Sequence, residues 1–545
     1  MWMGVMAKIS PDVLVLVDWP FDAREPLKER VVASIHRFLG RAPSPEIRER
    51  REDMSWDLGA DANLSLVSVV LATSLEGIGA SYKVWDMDNL VLEAGARVAE
   101  DLQSDPRIIA VSSSPFSTQD QFAEFISFVR QHNPDAPLIV GGQLLEVYPD
   151  LEEHVPEVDY FVHGDGEAVF PVLVKAILQQ GGRTPVDLPG VRYRHNRALR
   201  GTREWDPLEI DETPLPRWDL VLTSDFNDRA PQRSPLLPMV FVEEVRGCMH
   251  RCAFCGYPRN IPHRMKSADR ILRELRQCMQ WGLRHFNFYS ALFTSPPNHC
   301  REILGGIIQE GLDITFSCQA RVDDLYRHPD LIDLMRRAGC VHISMGIESG
   351  DPELLKRMRK PLNIERVPRL VATIQEAGIS LCGNFFIGFP GETSASIEAT
   401  YDLLTKCDFT TLFLSAFVVE RAAEVFRNRD RYGLEVSADG RWWRHPTMDS
   451  DRAQRETEDL FIRLAHDERL RTVLWVVQWR FARSFPALVR HAHRPEVWAV
   501  LRLMQKGVAN EIAFFRHGGS EAAHERKQEE LWEQVMKCDI LLEGG

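Results

Sequence analysis

Apolar residues come along this chain in repeated short runs separated by stretches of helical spacing. Up to about residue 180 the runs are Val13-Leu-Val-Leu-Val17, Tyr82-Lys-Val-Trp85, Ile108-Ile-Ala-Val111, Leu138-Ile-Val140 and Tyr160-Phe-Val162. Between them, around 64–75, up to 103 and over 122–130, apolar positions recur every three or four residues. Runs of three to five apolar residues read as buried strands and the longer periodic stretches as helices. The alternation predicts an α/β fold with a doubly wound, Rossmann-like parallel sheet.

The alternation resumes from 239 to about 419 with a spacing of roughly 30 to 40 residues, as in a partial (β/α)6 barrel. Its expected strands are Val240-Phe-Val242, His285-Phe-Asn-Phe288, Ile314-Thr-Phe-Ser317, His342-Ile-Ser-Met345, Gly383-Asn-Phe-Phe386 and Thr411-Leu-Phe-Leu414. Pro214-Leu-Pro-Arg-Trp218-Asp219 reads as a linker ending in an aromatic anchor. Beyond about 420 the strand pattern stops, and helices are expected over 451–470, 472–483, 495–506 and 522–538. The predicted organisation is a first domain over 1–185, a linker over 186–235, a barrel over 236–425 and a mainly helical domain over 426–545.

Composition narrows the classes. A chain of 545 residues with 44% hydrophobic and 26% charged residues is long enough for about three domains. The net charge of -14 argues against broad binding to nucleic acid or to anionic membranes. No apolar stretch of about 18 residues and no basic-then-apolar leader is present, so a cytoplasmic location is expected. Seven of the ten cysteines, at 278, 300, 318, 340, 382, 407 and 538, are scattered through helix and strand patterns and are expected to be reduced, buried thiols. Of the barrel-strand thiols, Cys318 or Cys382 is a candidate to face the active site, although packing is the expected role of both.

The other three cysteines carry the chemistry. Gly247-Cys248-Met249-His250-Arg251-Cys252-Ala253-Phe254-Cys255-Gly256 is a CxxxCxxC at a strand-to-loop junction. Three thiolates without a neighbouring fourth suit a 4Fe-4S cluster with one iron open to substrate. The alternative is a zinc site completed by His250 or His263. In spacing and context the motif resembles the radical S-adenosylmethionine (SAM) superfamily, in which the open iron chelates the amino and carboxylate groups of SAM. The resemblance implies Cys248, Cys252 and Cys255 as cluster ligands and Phe254 as the aromatic beside adenine. Catalytic residues of barrels gather at the carboxyl ends of strands. There Gln319, Arg321 and Asp323 follow the third strand, and the resemblance gives Arg321 the SAM carboxylate. Gly346-Ile347-Glu348-Ser349-Gly350 ends the fourth, with Glu348 and Ser349 implied near the ribose or methionine. Ile387-Gly388-Phe389-Pro390-Gly391-Glu392-Thr393 follows the fifth, with Ile387 implied near adenine and Glu392 read as a helix-start acid.

Upstream, the serine loop with Ser112, Ser113 and Ser117, the turn Gly141-Gly142-Gln143 and the turn His163-Gly164-Asp165-Gly166-Glu167 lie at expected carboxyl ends of strands, where such sheets bind ligands. Together they resemble the cobalamin-binding domain that precedes many radical SAM cores. The resemblance implies a cobalamin-dependent radical SAM methyltransferase. Its cofactors are a 4Fe-4S cluster, SAM and cobalamin, and methylcobalamin passes a methyl group to a carbon of a peptide, amino acid or natural-product intermediate. An external electron donor such as flavodoxin or ferredoxin is implied, with no nucleic-acid or membrane partner. Two departures matter. Asp18-Trp19-Pro20-Phe21-Asp22-Ala23 lacks the histidine that ligates cobalt from below. The second barrel strand ends in Tyr289-Ser290-Ala291, where the family usually has an acidic pair for the SAM amine.

Tyr289 is therefore a candidate to face substrate, and non-radical methylation of an aromatic carbon, as in the tryptophan-methylating branch, remains an alternative. So do a non-methylating cobalamin-dependent reaction (cyclisation, ring contraction or oxidation) and, outside catalysis, a cobalamin or redox sensor. Arg441-Trp442-Trp443-Arg444-His445 is read as a docking anchor or part of the substrate mouth.

Overall fold

The computed structural model describes residues 11–17, 66–85, 94–116, 118–222, 239–257, 261–437, 440, 442–470, 473–475 and 495–536. They form two compact units. One runs to Phe241 and takes in the later segment up to Leu283. The other holds Val242–Tyr257 and everything from Arg284 onward.

In the first unit β1 (Val13–Leu16), β2 (Tyr82–Trp85), β3 (Ile108–Ser112), β4 (Leu138–Gly141) and β5 (Tyr160–Val162) are parallel, in the order β2-β1-β3-β4-β5. Strands covered on both faces must be apolar throughout, and Val13 to Leu16 are all buried. Helix Gln119–His132 shows how the covering layer is specified. The Thr118 side chain accepts from the Gln121 N–H at its start, Arg130 and His132 stand in its last turn, and it buries Phe122, Phe125, Ile126 and Val129 on one face. Those side chains join Leu14, Leu138, Val140 and Phe161 in one core. The strand order reverses between β1 and β3, so the crevice at the carboxyl ends of these strands is the place for a ligand.

The expected linker is not all linker. β6 (Val191–His195) adds antiparallel to β5 and pairs with β7 (Ala198–Gly201). Val-Arg-Tyr-Arg-His is half exposed, an edge pattern without the apolar run that marks the inner strands.

The barrel sheet lies in the second unit apart from most of its first strand. β8 (Met239–Val242) ends at Val242, whose carbonyl accepts from the Tyr289 N–H at 2.8 Å. Next come the parallel strands β9 (His285–Phe288), β10 (Thr315–Ala320), β11 (Cys340–Glu348), β12 (Ser380–Ile387) and β13 (Thr411–Ala416). All six expected strands are therefore present, in an open, barrel-like sheet. Beyond the barrel two expectations are corrected. A three-stranded antiparallel sheet of β14 (Glu435–Val436), β15 (Trp443–His445) and β16 (Met448–Asp449) lies where strands were expected to have stopped. β17 (Val473–Trp475) pairs with β13 at the start of the helix expected over 472–483, whose remainder lies outside the described residues. Short apolar runs such as Val-Leu-Trp do not distinguish strand from helix by periodicity. Helices Ser450–His466, Pro495–His517 and Glu521–Met536 complete the unit.

Candidate active site

Alternation along the barrel strands separates two faces. Phe286, Phe288, Phe316, Cys318, Ile343, Met345, Leu381 and Phe385 are buried under the helices, whereas the residues alternating with them are half-buried or, at Tyr289 and Gln319, exposed. The second set consists of His285, Asn287 and Tyr289 on and just after β9, Thr315, Ser317 and Gln319 on β10, Ser344 on β11, Cys382 and Asn384 on β12, and Phe413 and Ser415 on β13. Cross-strand hydrogen bonds join Asn287 to Ser317 (2.7 Å) and Asn384 to Ser344 (2.9 Å). The inner wall is thus built of hydroxyls, amides and aromatic rings and carries no carboxylate or guanidinium until the strand ends. Cys382 is on this wall and Cys318 on the helix-covered face.

The cysteine loop follows β8. Cys248, Cys252 and Cys255 are each partly exposed. Burial pushes the Cys255 thiol up to about 11, and the charges of Cys252 and Cys248 push it the same way, so the three thiols face a common region. They can ionise together only around a positive centre. Each cysteine of a 4Fe-4S cube binds a different iron, so the donor set fits such a cluster. Among the described residues no three His, Cys, Asp or Glu side chains close round a single ion. The His250 ring of the zinc alternative lies instead with Nε2 3.5 Å from Ser295 Oγ. Ser295 in turn donates to Asp324.

Around the triad stand charged groups from two strand ends and one loop. Arg321, buried, ion-pairs with Asp323, and its charge acts on both Cys248 and His250. Glu348 closes β11 in a left-handed conformation (φ 72°) at a register break against β12. That conformation is costly for a residue with a Cβ and collects at functional sites. Its carboxylate takes a 2.7 Å bond from Lys360, a residue that sequence reasoning missed; both are buried. A side chain at Gly346 would run into this pair, 2.7 Å from Lys360 Nζ. The Lys360 ammonium stands 6.0 Å over the Phe254 ring, and Phe254 meets Phe386 at 5.0 Å. Gln319 and Tyr289 are exposed at the inner wall, Tyr289 by 44%.

Other expected contacts are turned away. Ser349 is 1% exposed, and its hydroxyl serves Thr400 and the Asp351 N–H, so it holds a turn. Ile387 falls in the helix-covered row, and Phe386 takes the inner position beside it. Ser290 faces the covered side and donates to the buried Glu244. Glu392 accepts from the Gly388 N–H and from Ser396, a structural role in the turn. Trp443 donates to the Phe417 carbonyl at 3.1 Å and His445 lies 3.0 Å from the Gly388 carbonyl, so this segment anchors the strand ends while Trp442 stays exposed.

In the first unit the turns after β3 and β4 interlock. The Ser113 N–H donates to the Gly141 carbonyl (2.7 Å) and the Gln143 N–H to Ser114 Oγ (3.0 Å). Gly142 (φ 104°) leaves no room for a Cβ, which would fall 2.7 Å from Ser114 Oγ. Ser112 and Ser113 are buried, and Ser113 Oγ has no hydrogen-bond partner among the described residues. Ser114, Gly142 and Gln143 are exposed beside it, and the space beside Gly166, next to Glu167, is open. Small exposed residues with an unsatisfied hydroxyl at the switch point fit a large flat ligand such as cobalamin. Gly164 is different: the space beside it is filled by the Trp205 ring, so its lack of a side chain serves packing. Ser117 and the stretch 18–23, where the lower histidine is missing, lie outside the described residues.

Comparison with known proteins gives the same two modules. Residues 66–174 match the B12 binding domain and residues 243–404 the radical SAM superfamily. The chain is 27% identical over 309 residues to an uncharacterized methyltransferase, PH0819, of Pyrococcus horikoshii, covering 56% of this chain and 65% of that one. It is 25% identical over 289 residues to the anaerobic magnesium-protoporphyrin IX monomethyl ester cyclase of Rubrivivax gelatinosus, covering 51% of this chain and 50% of that one. It thus spans between half and two thirds of the length of these relatives. In fold it is similar to the radical SAM methyltransferase TsrM from Kitasatospora setae with cobalamin and a 4Fe-4S cluster bound, with a TM-score of 0.59 at 16% identity over 97% of this chain and 99% of that one. No helix among the described residues is long and apolar enough to cross a membrane. The chain thus carries a B12 binding domain and a radical SAM domain, whose cofactors are cobalamin for the first and a 4Fe-4S cluster with SAM for the second.

Proposed function

We propose that this enzyme transfers a methyl group from SAM, by way of cobalamin, to a carbon of an uncharged, polar substrate such as a peptide, an amino-acid derivative or a natural-product intermediate. The observation that carries the reading is the position of the cysteine triad beside an inner barrel wall of neutral hydrogen-bonding side chains. A wall of Asn, Ser, Thr and Gln pairs with hydroxyls and amides and leaves a buried charge on the substrate uncompensated.

When bound, the cluster supplies an electron for cleaving SAM, and cobalamin carries the methyl group. In this reading the first domain with β6 and β7 holds the cobalamin, the stretch after β7 links the modules, and the barrel, which β17 extends, holds the cluster and SAM. Ser112, Ser113, Gly141, Gly142 and Gln143 receive the corrin. Cys248, Cys252 and Cys255 hold three irons. Arg321 releases Asp323 to grip the SAM carboxylate as a two-pronged donor. Glu348, fixed by Lys360, takes the ammonium or ribose that Ser290 and Ala291 leave without an acid. Tyr289 and Gln319 face the substrate. Flavodoxin or ferredoxin provides the electron.

The likeness to a cyclase favours a second reading, ring formation without methylation. The test is anaerobic: reconstituted enzyme, reduced flavodoxin and methyl-labelled SAM are offered fractions of small metabolites and peptides. Methyl transfer predicts label in a neutral product together with S-adenosylhomocysteine. Deoxyadenosine with an altered but unlabelled product favours the cyclase-like reading and refutes the first.

A further inference from the structure

One carboxylate at the barrel mouth has no assigned work. After β13 the chain is tied to the end of β12, where the Phe417 N–H donates to the Ile387 carbonyl at 2.7 Å, and then to the cysteine loop, where the Val425 N–H donates to the Ala253 carbonyl at 2.9 Å. Between these ties Glu420 lies directly against Gly256, the residue after the third cysteine. A Cβ at position 256 would fall 2.7 Å from Glu420 Cβ and 3.1 Å from Oε2. Glu420 remains exposed. The surrounding protein pushes its carboxyl above the usual range, and among the described residues neither a cation nor a hydrogen-bond donor offsets this.

An acid partly stripped of water and left unpaired invites a donor from a ligand. SAM offers three kinds, its ammonium, its ribose hydroxyls and the amino group of adenine, and the first two are within the reach already given to Glu348; its carboxylate is repelled by like charge. The ammonium belongs at the open iron, where the three thiols converge. Glu420 lies against Gly256, the residue after Cys255, and follows by three residues Phe417, which with Phe254 and Phe386 forms an aromatic shelf. Phe386 and Phe417 are stacked with centroids 5.5 Å apart, and Phe254 meets Phe386 edge-on, offering a face for a flat base.

We propose that Glu420 reads the adenine base of SAM, accepting a hydrogen bond from its exocyclic amino group while Phe254 and Phe386 hold the ring. Either protonation state of the acid leaves an oxygen free to accept. The assignment rests on the reading of the triad as a SAM site and adds a selectivity device: a 6-oxo purine brings a carbonyl up to the carboxylate and is rejected.

The experiment measures equilibrium binding of S-adenosylhomocysteine and S-inosylhomocysteine to the full chain with its cluster reconstituted. Wild type should prefer the adenosyl compound about ten-fold or more, as sites built for one hydrogen bond reject ligands lacking it. Glu420→Ala should bind the adenosyl compound about ten-fold more weakly and the inosyl compound more tightly than wild type, because the repelling oxygen is gone. Glu420→Gln, which keeps an acceptor and gains a donor for the 6-oxo group, should bring the two affinities close together. Unchanged preference in both variants overturns the assignment. Failure of wild type to bind either compound overturns the SAM reading itself, and Glu420's role with it.

Discussion

Glu244 closes an apolar strand, is fully buried, and has one oxygen bonded to Ser290 and the other, Oε2, without a partner among the described residues. Burial pushes its carboxyl from an ordinary 4.5 up to about 8. The folded chain therefore keeps a proton that the unfolded chain has lost at neutral pH. A raised acid contributes its full stability below the unfolded value and loses it as pH rises toward the folded one. Between pH 5 and pH 8 the loss is about 3 kcal/mol, at roughly 1.4 kcal/mol per pH unit. Glu244→Gln has no proton to lose, and any fixed cost of its amide is the same at every pH. The gap in melting temperature, variant minus wild type, should therefore widen with pH by several degrees, at about 2 °C per kcal/mol for a unit of this size. Near-UV circular dichroism melts at pH 5, 6, 7 and 8 read it directly. A gap constant to within a degree refutes the idea of a neutral buried acid behind the cluster loop.

Three further outcomes follow from the geometry. Lys360→Met leaves Glu348 buried and unpaired, which should destabilise the barrel unit by about 3 to 5 kcal/mol; adding Glu348→Gln should recover most of that, and a double-mutant cycle of melting shifts checks the coupling. Cys252→Ala should abolish the visible absorbance of a reconstituted cluster while leaving cobalamin retention at wild-type stoichiometry. Gly142→Val places a side chain at φ 104° against Ser114, and should lower cobalamin retention measured by gel filtration without loss of the cluster signal.

The barrel and the doubly wound sheet were legible in the sequence because buried parallel strands must be apolar on both faces. β6, β7 and the small sheet around Trp443 were not, since edge strands such as Val-Arg-Tyr-Arg-His need only half their residues apolar. The cysteine triad was legible because its three ligands are close in sequence. Lys360 was hidden: it sits in a loop whose meeting with Glu348 is made by the left-handed turn ending β11, a tertiary event with no local signature. The same holds for Glu420, set against Gly256 by backbone bonds from distant strands. Glu244 was hidden as well, since its burial under the cluster loop is a matter of packing. Ser349 and Ile387 show the limit of carrying motifs over: a residue within a matching turn can face the helix layer while its neighbour faces the cavity, as Phe386 does.

The central claim is that one chain brings SAM and cobalamin into a methyl relay. The direct measurement gives anaerobically purified enzyme, loaded with cobalamin and chemically reduced, a single portion of SAM carrying a deuterated methyl group, with no other substrate present. The account predicts that S-adenosylhomocysteine forms in an amount equal to the bound cobalamin and that the label is recovered with the cobalamin by mass spectrometry. Full cobalamin occupancy with no label transferred and no S-adenosylhomocysteine above background would contradict it.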